Sequence, residues 1–287
     1  MSKPGSVTRA KVLGLLGRML IVGLLVIGCV VFVMPVYTSF AMSLKTPSEL
    51  ATTAAWSWPQ NPTVANYDEV LSNPNVNFFR LFWNTVTIST LATIGTVISA
   101  SLVAYAFAKM KFSGRDRLFA VMLSTMMLPA IVTMIPTYIL FKELRWVNTF
   151  LPLTVPAFFG GGAFNIFLLR QFFMSIPKEL DEAAKIEGAG HWTIYSRVVM
   201  PLSGSALATV GVFCFIYNWR DFMGPLIYLN DPQLQTLETG LATYNSLRSE
   251  QWHLLMAGSI LVTIPLIVIF FLGQRYFVKG ISMTGLK

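Results

Sequence analysis

MLIVGLLVIGCVVFVMPVYTSFAMSL, residues 19–44, runs without a single charged side chain. A helix needs roughly 20 such residues to cross about 30 Å of hydrocarbon, so this stretch is long enough to span a bilayer. It does not stand alone. Residues 81–108, 118–141, 146–169, 198–219 and 251–274 are equally free of Asp, Glu, Lys and Arg. None alternates polar and apolar side chains over about ten residues, as the strands of a membrane barrel do. The pattern predicts an all-α polytopic membrane protein with six spans, at about 19–41, 84–107, 118–140, 150–169, 204–227 and 255–275. Residues 1–18 then form an N-terminal tail and 19–287 one transmembrane domain. The first apolar run far exceeds the roughly 7–15 residues of a signal-peptide core, so it reads as an uncleaved helix despite the cleavage-like Ser39-Phe40-Ala41.

Composition agrees. Of 287 residues, 54% are hydrophobic and 12% charged, about half the charge of a usual soluble domain. Mean hydropathy is +0.62. These values exclude a disordered, coiled-coil or collagen-like chain and disfavour a soluble enzyme. The net charge of +8 fits loops facing an anionic membrane surface better than it fits nucleic acid. Cys29 and Cys214 lie in apolar runs without ligand-like spacing and read as small packed hydrophobes.

Basic residues set the orientation. One side carries Lys3, Arg9, Lys11, Arg18, Lys109, Lys111, Arg115, Arg117, Arg170, Lys178, Lys185, Arg197, Arg275, Lys279 and Lys287. The other carries Lys45, Arg80, Lys142, Arg145 and Arg248. Fifteen against five predicts both termini in the cytoplasm.

Between spans four and five lies Ser175-Ile176-Pro177-Lys178-Glu179-Leu180-Asp181-Glu182-Ala183-Ala184-Lys185-Ile186-Glu187-Gly188, too polar to span. Pro177 suits the first helical position, and Glu179, Asp181 and Glu182 fall in the first turns, where acids meet the positive helix end. Gly188 supplies a left-handed stop. A second helix at about His191–Val199 follows, with Pro201 before span five. The residues predict a helix–turn–helix over about 175–201, lying on the cytoplasmic face.

This segment resembles the EAA loop of ABC-importer permeases of the binding-protein-dependent carbohydrate class (MalG-type). Glu182-Ala183-Ala184, then Glu187-Gly188-Ala189 two residues on, then Met200-Pro201-Leu202 follow that family's pattern. Glu187 replaces the usual Asp, and Gly190 stands where a Ser-type cap is common. Further similarities are Asn66-Tyr67, Asn84-Thr85, Ala104-Tyr105-Ala106-Phe107-Ala108, Phe112-Ser113-Gly114-Arg115, Met127-Leu128-Pro129, Ile135-Pro136, Leu169-Arg170-Gln171-Phe172, Trp219-Arg220-Asp221-Phe222, Gly280-Ile281 and Gly285-Leu286-Lys287.

The resemblance implies a permease paired with a second, MalF-like permease, two ATPase subunits and an external solute-binding protein in a bacterial or archaeal plasma membrane. Glu182, Ala183, Ala184, Ile186, Glu187, Gly188, Ala189 and Pro201 are then the coupling segment that docks on the ATPase. ATP and Mg belong to that partner, and this chain binds no cofactor. Its own residues agree: Gly280 to Gly285 is the nearest approach to a P-loop, and Leu286 interrupts it before Lys287. The solute implied is a sugar or oligosaccharide, with glycerol phosphate as the outlier.

Arg220-Asp221 falls inside the predicted fifth span. Charges there normally face protein or a water-filled path, so Asn218, Arg220 and Asp221 are candidates for the translocation pathway; a structural pair near the interface is the other reading. Adjacent positions on a helix diverge by about 100°, so each of the two needs its own partner. Pro129, Pro136, Pro152, Pro156 and Pro265 are expected sites of helix breakage, as is Gly160-Gly161-Gly162 in span four. A six-span secondary transporter or channel remains the alternative, but the spans offer only Asp221 for ion coupling. An intramembrane protease lacks a placed His, since His191 and His253 fall outside the spans or at their edge.

Overall fold

A computed structural model describes residues 4–74, 76–242, 244 and 251–284, with side chains between 17 and 274. The described residues are all-helical. Two compact units divide the chain, one of residues up to 70 with 244–261, the other of 71–243 with residues from 262 on.

In the first unit, α1 (Pro4–Ser43) is a single helix that begins well before the predicted span. Pro35 inside it removes one backbone donor, and the hydroxyls of Thr38 and Ser39 both donate to the Pro35 carbonyl at 2.9 Å. Short helices α2 (Pro47–Thr52) and α3 (Ala65–Ser72) follow. Lys45 is fully buried, and its ammonium donates to Thr53 Oγ1 (3.0 Å), the Ala54 carbonyl (2.7 Å) and Ser57 Oγ (2.9 Å). All three of its donors are used. Asn66 donates to the carbonyls of Ser43 and Lys45 at 2.8 and 2.9 Å, and the hydroxyls of Tyr67 and Ser43 meet at 2.6 Å. Asn66-Tyr67 therefore closes this loop onto the end of α1.

The second unit is organised around α4 (Phe78–Lys109). Asn77 caps it by accepting from the Arg80 amide at 3.1 Å. Ala92, Thr96, Ala100 and Ala104 recur every fourth residue and are buried. Small side chains on one face let neighbouring backbones approach closely, the usual basis of helix association in lipid. Against α4 lie α5 (Arg115–Ser124), α7 (Leu151–Thr154), α8 (Ala157–Gly160), α9 (Ala163–Ser175) and α12 (Gly204–Trp219). Also in this unit are α6 (Ala130–Glu143), α10 (Lys178–Ile186), α11 (His191–Leu202), α13 (Met223–Tyr228) and α14 (Leu237–Ala242). Helix α15 (Trp252–Thr284) completes the chain. The core of the second unit gathers Ala100, Ala104, Leu169, Phe173, Ile194, Val199 and Val210 from α4, α9, α11 and α12. Asn84-Thr85 pins the chain before α14: Asn84 donates to the carbonyls of Gln233 and Gln235 at 2.9 Å, and Thr85 Oγ1 accepts from the Leu237 amide at 2.9 Å.

Four stretches are long and apolar enough to cross a membrane: Gly17–Ser43, Phe78–Lys109, Leu151–Ser175 and Trp252–Gln274. Two bent pairs raise the number to as many as six. Span three breaks at Pro129, one of the expected sites, whereas span five is shorter than predicted. Span three turns by 97° between Met127 and Ala130, because Pro129 drives Leu128 into an extended conformation (φ −79°, ψ 121°). Span five ends at Trp219 rather than 227. Pro225 falls in the first turn of the separate helix α13, where its missing N–H breaks no helical bond. Span four is interrupted twice, before Pro156 and at Gly161-Gly162. Pro136 and Pro265, by contrast, sit inside continuous helices.

Candidate coupling segment and translocation path

Helix α10 starts one residue later than expected, with Pro177 as its cap rather than its first residue. It ends on Gly188, at φ +83°. The Gly188 amide donates to the Lys185 carbonyl at 3.0 Å and the Ala189 amide to the Ala184 carbonyl at 2.9 Å. This is a Schellman stop, satisfying carbonyls that the helix end orphans. Gly190 then opens α11 in extended conformation without a side-chain cap. A 78° bend at Ser203 separates α11 from α12.

The segment has two faces. Glu182, Ala183, Ile186, Glu187, Gly188 and Pro201 are exposed, while Ala184 and Ala189 are partly buried. Ile186 is 87% exposed and Trp192 68%, so apolar tips project beside the acidic ones. The inner face carries residues that the sequence did not single out. Asp181 is buried and pairs with Lys109 Nζ at 2.8 Å, and the same ammonium donates to the Ile176 carbonyl at 3.1 Å. Tyr195 and Ser101 share a hydroxyl contact of 2.8 Å, and Tyr105 OH lies 3.4 Å from His191 Nδ1. Asp181 reads from sequence only as a helix-dipole acid. Its position one turn before the partly buried Ala184, about 100° around the helix from the exposed Glu182, was the available signal.

The second candidate region is the break in span four. Gly161 and Gly162 take φ +58° and +75°, and a Cβ on Gly161 would lie 2.6 Å from the Ala100 backbone nitrogen. Only glycine fits that approach. Ser99 Oγ donates to the Ala157 carbonyl at 2.7 Å and Asn165 Nδ2 to the Gly161 carbonyl at 2.9 Å, re-satisfying backbone freed by the break. Beside it opens a cavity of about 510 Å³ lined by Thr96, Phe164, Asn165, Phe213, Tyr217 and Asn218 among others. Asn218 spends its amide N–H on the Cys214 carbonyl at 2.7 Å.

Of the three predicted pathway residues, the structure brings only Asn218 to this cavity. Arg220 and Asp221 lie beyond the end of α12, so the expectation that both project from a helix is corrected. Arg220 is the exposed capping residue of α12. Asp221 Oδ1 accepts from the Gly224 amide at 3.1 Å and so caps α13. Arg220 acts electrostatically on Glu238 of α14: burial raises that carboxyl above its ordinary range, and the guanidinium opposes the shift. Asp221 thus finds its hydrogen bond in local backbone, not on a neighbouring span.

A gripped polar segment, a broken span and a close-packed central helix together define an importer permease fold. The same fold occurs in a bacterial ABC transporter involved in the import of the acidic polysaccharide alginate, with a TM-score of 0.80 over 96% of this chain and 99% of that one, at 23% identity. Residues 97–283 match the model for the binding-protein-dependent transport system inner membrane component. The chain is 32% identical over 268 residues to the sn-glycerol-3-phosphate transport system permease protein UgpE of Brucella abortus, covering 91% of this chain and 94% of the relative. It is 31% identical over 229 residues to the arabinooligosaccharides transport system permease protein AraQ of Halalkalibacterium halodurans, covering 80% and 81%. The chain belongs to the family of binding-protein-dependent ABC transporter inner-membrane permeases, in the carbohydrate class. It is a multi-pass inner-membrane permease subunit of a binding-protein-dependent transporter whose ATPase is a separate chain.

Proposed function

We propose that this permease, with a second MalF-like permease and two ATPase copies, forms the path for a sugar or oligosaccharide, and that α10–α11 is its ATPase-docking segment on the cytoplasmic side. The observation that carries the solute class is the cavity at the break in span four. Its polar lining is neutral, from Thr96, Asn165, Tyr217 and Asn218, and is interleaved with Phe164 and Phe213. Amides and hydroxyls beside aromatic faces suit a polyhydroxylated solute, for which a few placed polar groups fix orientation in a largely apolar site. The likeness to UgpE keeps glycerol 3-phosphate as the second reading.

Tyr217 is 77% exposed, so truncating it costs the fold little. In cells expressing the whole transport system, Tyr217→Ala is expected to lower uptake of arabinooligosaccharide about fivefold or more at unchanged complex yield, the loss of one stacking contact of about 1 kcal/mol. Uptake of labelled glycerol 3-phosphate with none of the oligosaccharide would favour the second reading. Parental oligosaccharide uptake by the variant would remove Tyr217 from the path.

Orientation has its own test. In a chain freed of Cys29 and Cys214, a membrane-impermeant thiol reagent applied to intact cells should modify Gln60→Cys and spare Ser113→Cys and Lys185→Cys. All three positions are exposed. Labelling of Lys185→Cys from outside would reverse the fifteen-to-five assignment.

A further inference from the structure

One helix holds both candidate regions. Ser101, Tyr105 and Lys109 recur at four-residue spacing along the last turns of α4, so they share a face. That face grips both helices of the docking segment, α11 through Tyr195 and His191 and α10 through Asp181. Higher on the same helix, Gly95 lies under the Phe158 ring, Ser99 bonds the Ala157 carbonyl and Ala100 abuts Gly161. From Gly95 to Lys109 is about 20 Å of continuous α-helix.

We infer that α4 is the rod that carries motion of the docking segment to the break in span four, with the buried Lys109–Asp181 pair as its lower joint. The inference rests on α10–α11 being the ATPase-docking segment. A rigid helix packed at both ends is a physical carrier of coupling. An ion pair with side chains 7% and 12% exposed is far less screened than one in water, so it resists sliding of α10 along α4. Asp181 Oδ1 is buried without a hydrogen-bond partner among the described residues; the carboxylate is therefore committed to Lys109 through its other oxygen. Lys109 and Asp181 act here as positioning residues.

The test uses the complete complex with its ATPase and binding protein in proteoliposomes, reading solute moved per ATP hydrolysed. Lys109→Met with Asp181→Leu removes both charges together, since removing one would strand the other in a buried site. Complex yield, ATPase attachment and ATP turnover are expected to stay within about twofold of parental, while solute moved per ATP falls about tenfold, within the range usual for coupling between sites. Lys109→Arg keeps the pair and should keep the parental ratio. An unchanged ratio in the double variant overturns the inference, as does a Lys109→Arg ratio as low as the double variant's. Joint loss of yield, turnover and uptake overturns it too, unless Tyr195→Phe decides otherwise. That change removes the 2.8 Å hydroxyl contact without touching charge, and a lowered ratio at full yield restores the inference while a parental ratio ends it. Glu182→Lys reports separately on docking: retention of ATPase by that variant would fail the docking reading, not the rod.

Discussion

Glu182→Lys is expected to insert and accumulate like the parental protein yet lose uptake by at least about tenfold, with the ATPase largely absent from the purified complex. Glu182 is exposed on α10 and makes no ion pair among the described residues, so reversing its charge removes nothing that holds this chain together. Its effect must fall on a partner. Truncating one side of a buried interfacial charge pair typically costs about 2–5 kcal/mol, and reversing it adds repulsion. Gly188→Val is a companion with a different cause. Nothing lies within 4 Å of a Cβ there, but φ is +83°, a region that costs an L-residue about 1–2 kcal/mol and suits a β-branched one least. The Schellman stop should loosen, misaim α11 and lower uptake. Copurified ATPase per permease, measured beside uptake, is the check; parental values for Glu182→Lys would sink the docking assignment.

Gly161→Ala should do comparable damage by a steric route. The added methyl would stand 2.6–2.7 Å from the backbone nitrogen, Cα and Cβ of Ala100. Backbone on α4 cannot swing aside as the end of a side chain can. Overpacking of this kind costs about 1–3 kcal/mol, and the left-handed φ of +58° adds about 1–2 more. We expect complex yield to fall several-fold and uptake per complex to fall further, because the break beside the cavity is held by that contact. Gly160→Ala is the matched control: nothing lies within 4 Å of its Cβ and its φ is not positive, so yield should stay parental. Equal yields for Gly160→Ala and Gly161→Ala would show that the close approach to Ala100 is not what holds the break.

The sequence by itself determined the features that depend on near neighbours. Charge-free runs marked where the chain is apolar enough to lie in lipid, because that property is a sum over about twenty consecutive residues. The boundaries of α10, its acidic first turns and its Gly188 stop were legible for the same reason, since caps and left-handed stops are settled within one turn. Asn218, singled out by its position on the fifth span, lines the cavity beside the break in span four. Tertiary structure alone decided the rest. Pro129 marked where span three could break, but hydropathy does not give the size of the bend, 97°, which depends on what each half packs against. Arg220 and Asp221 left the span because α12 ends at Trp219, whose indole is buried and donates to the Val262 carbonyl at 3.2 Å. Lys109 and Asp181 carry no mark of each other in sequence. They are joined because α4 and α10 are brought together by a shared core, and two charges withdrawn from water must find one another there.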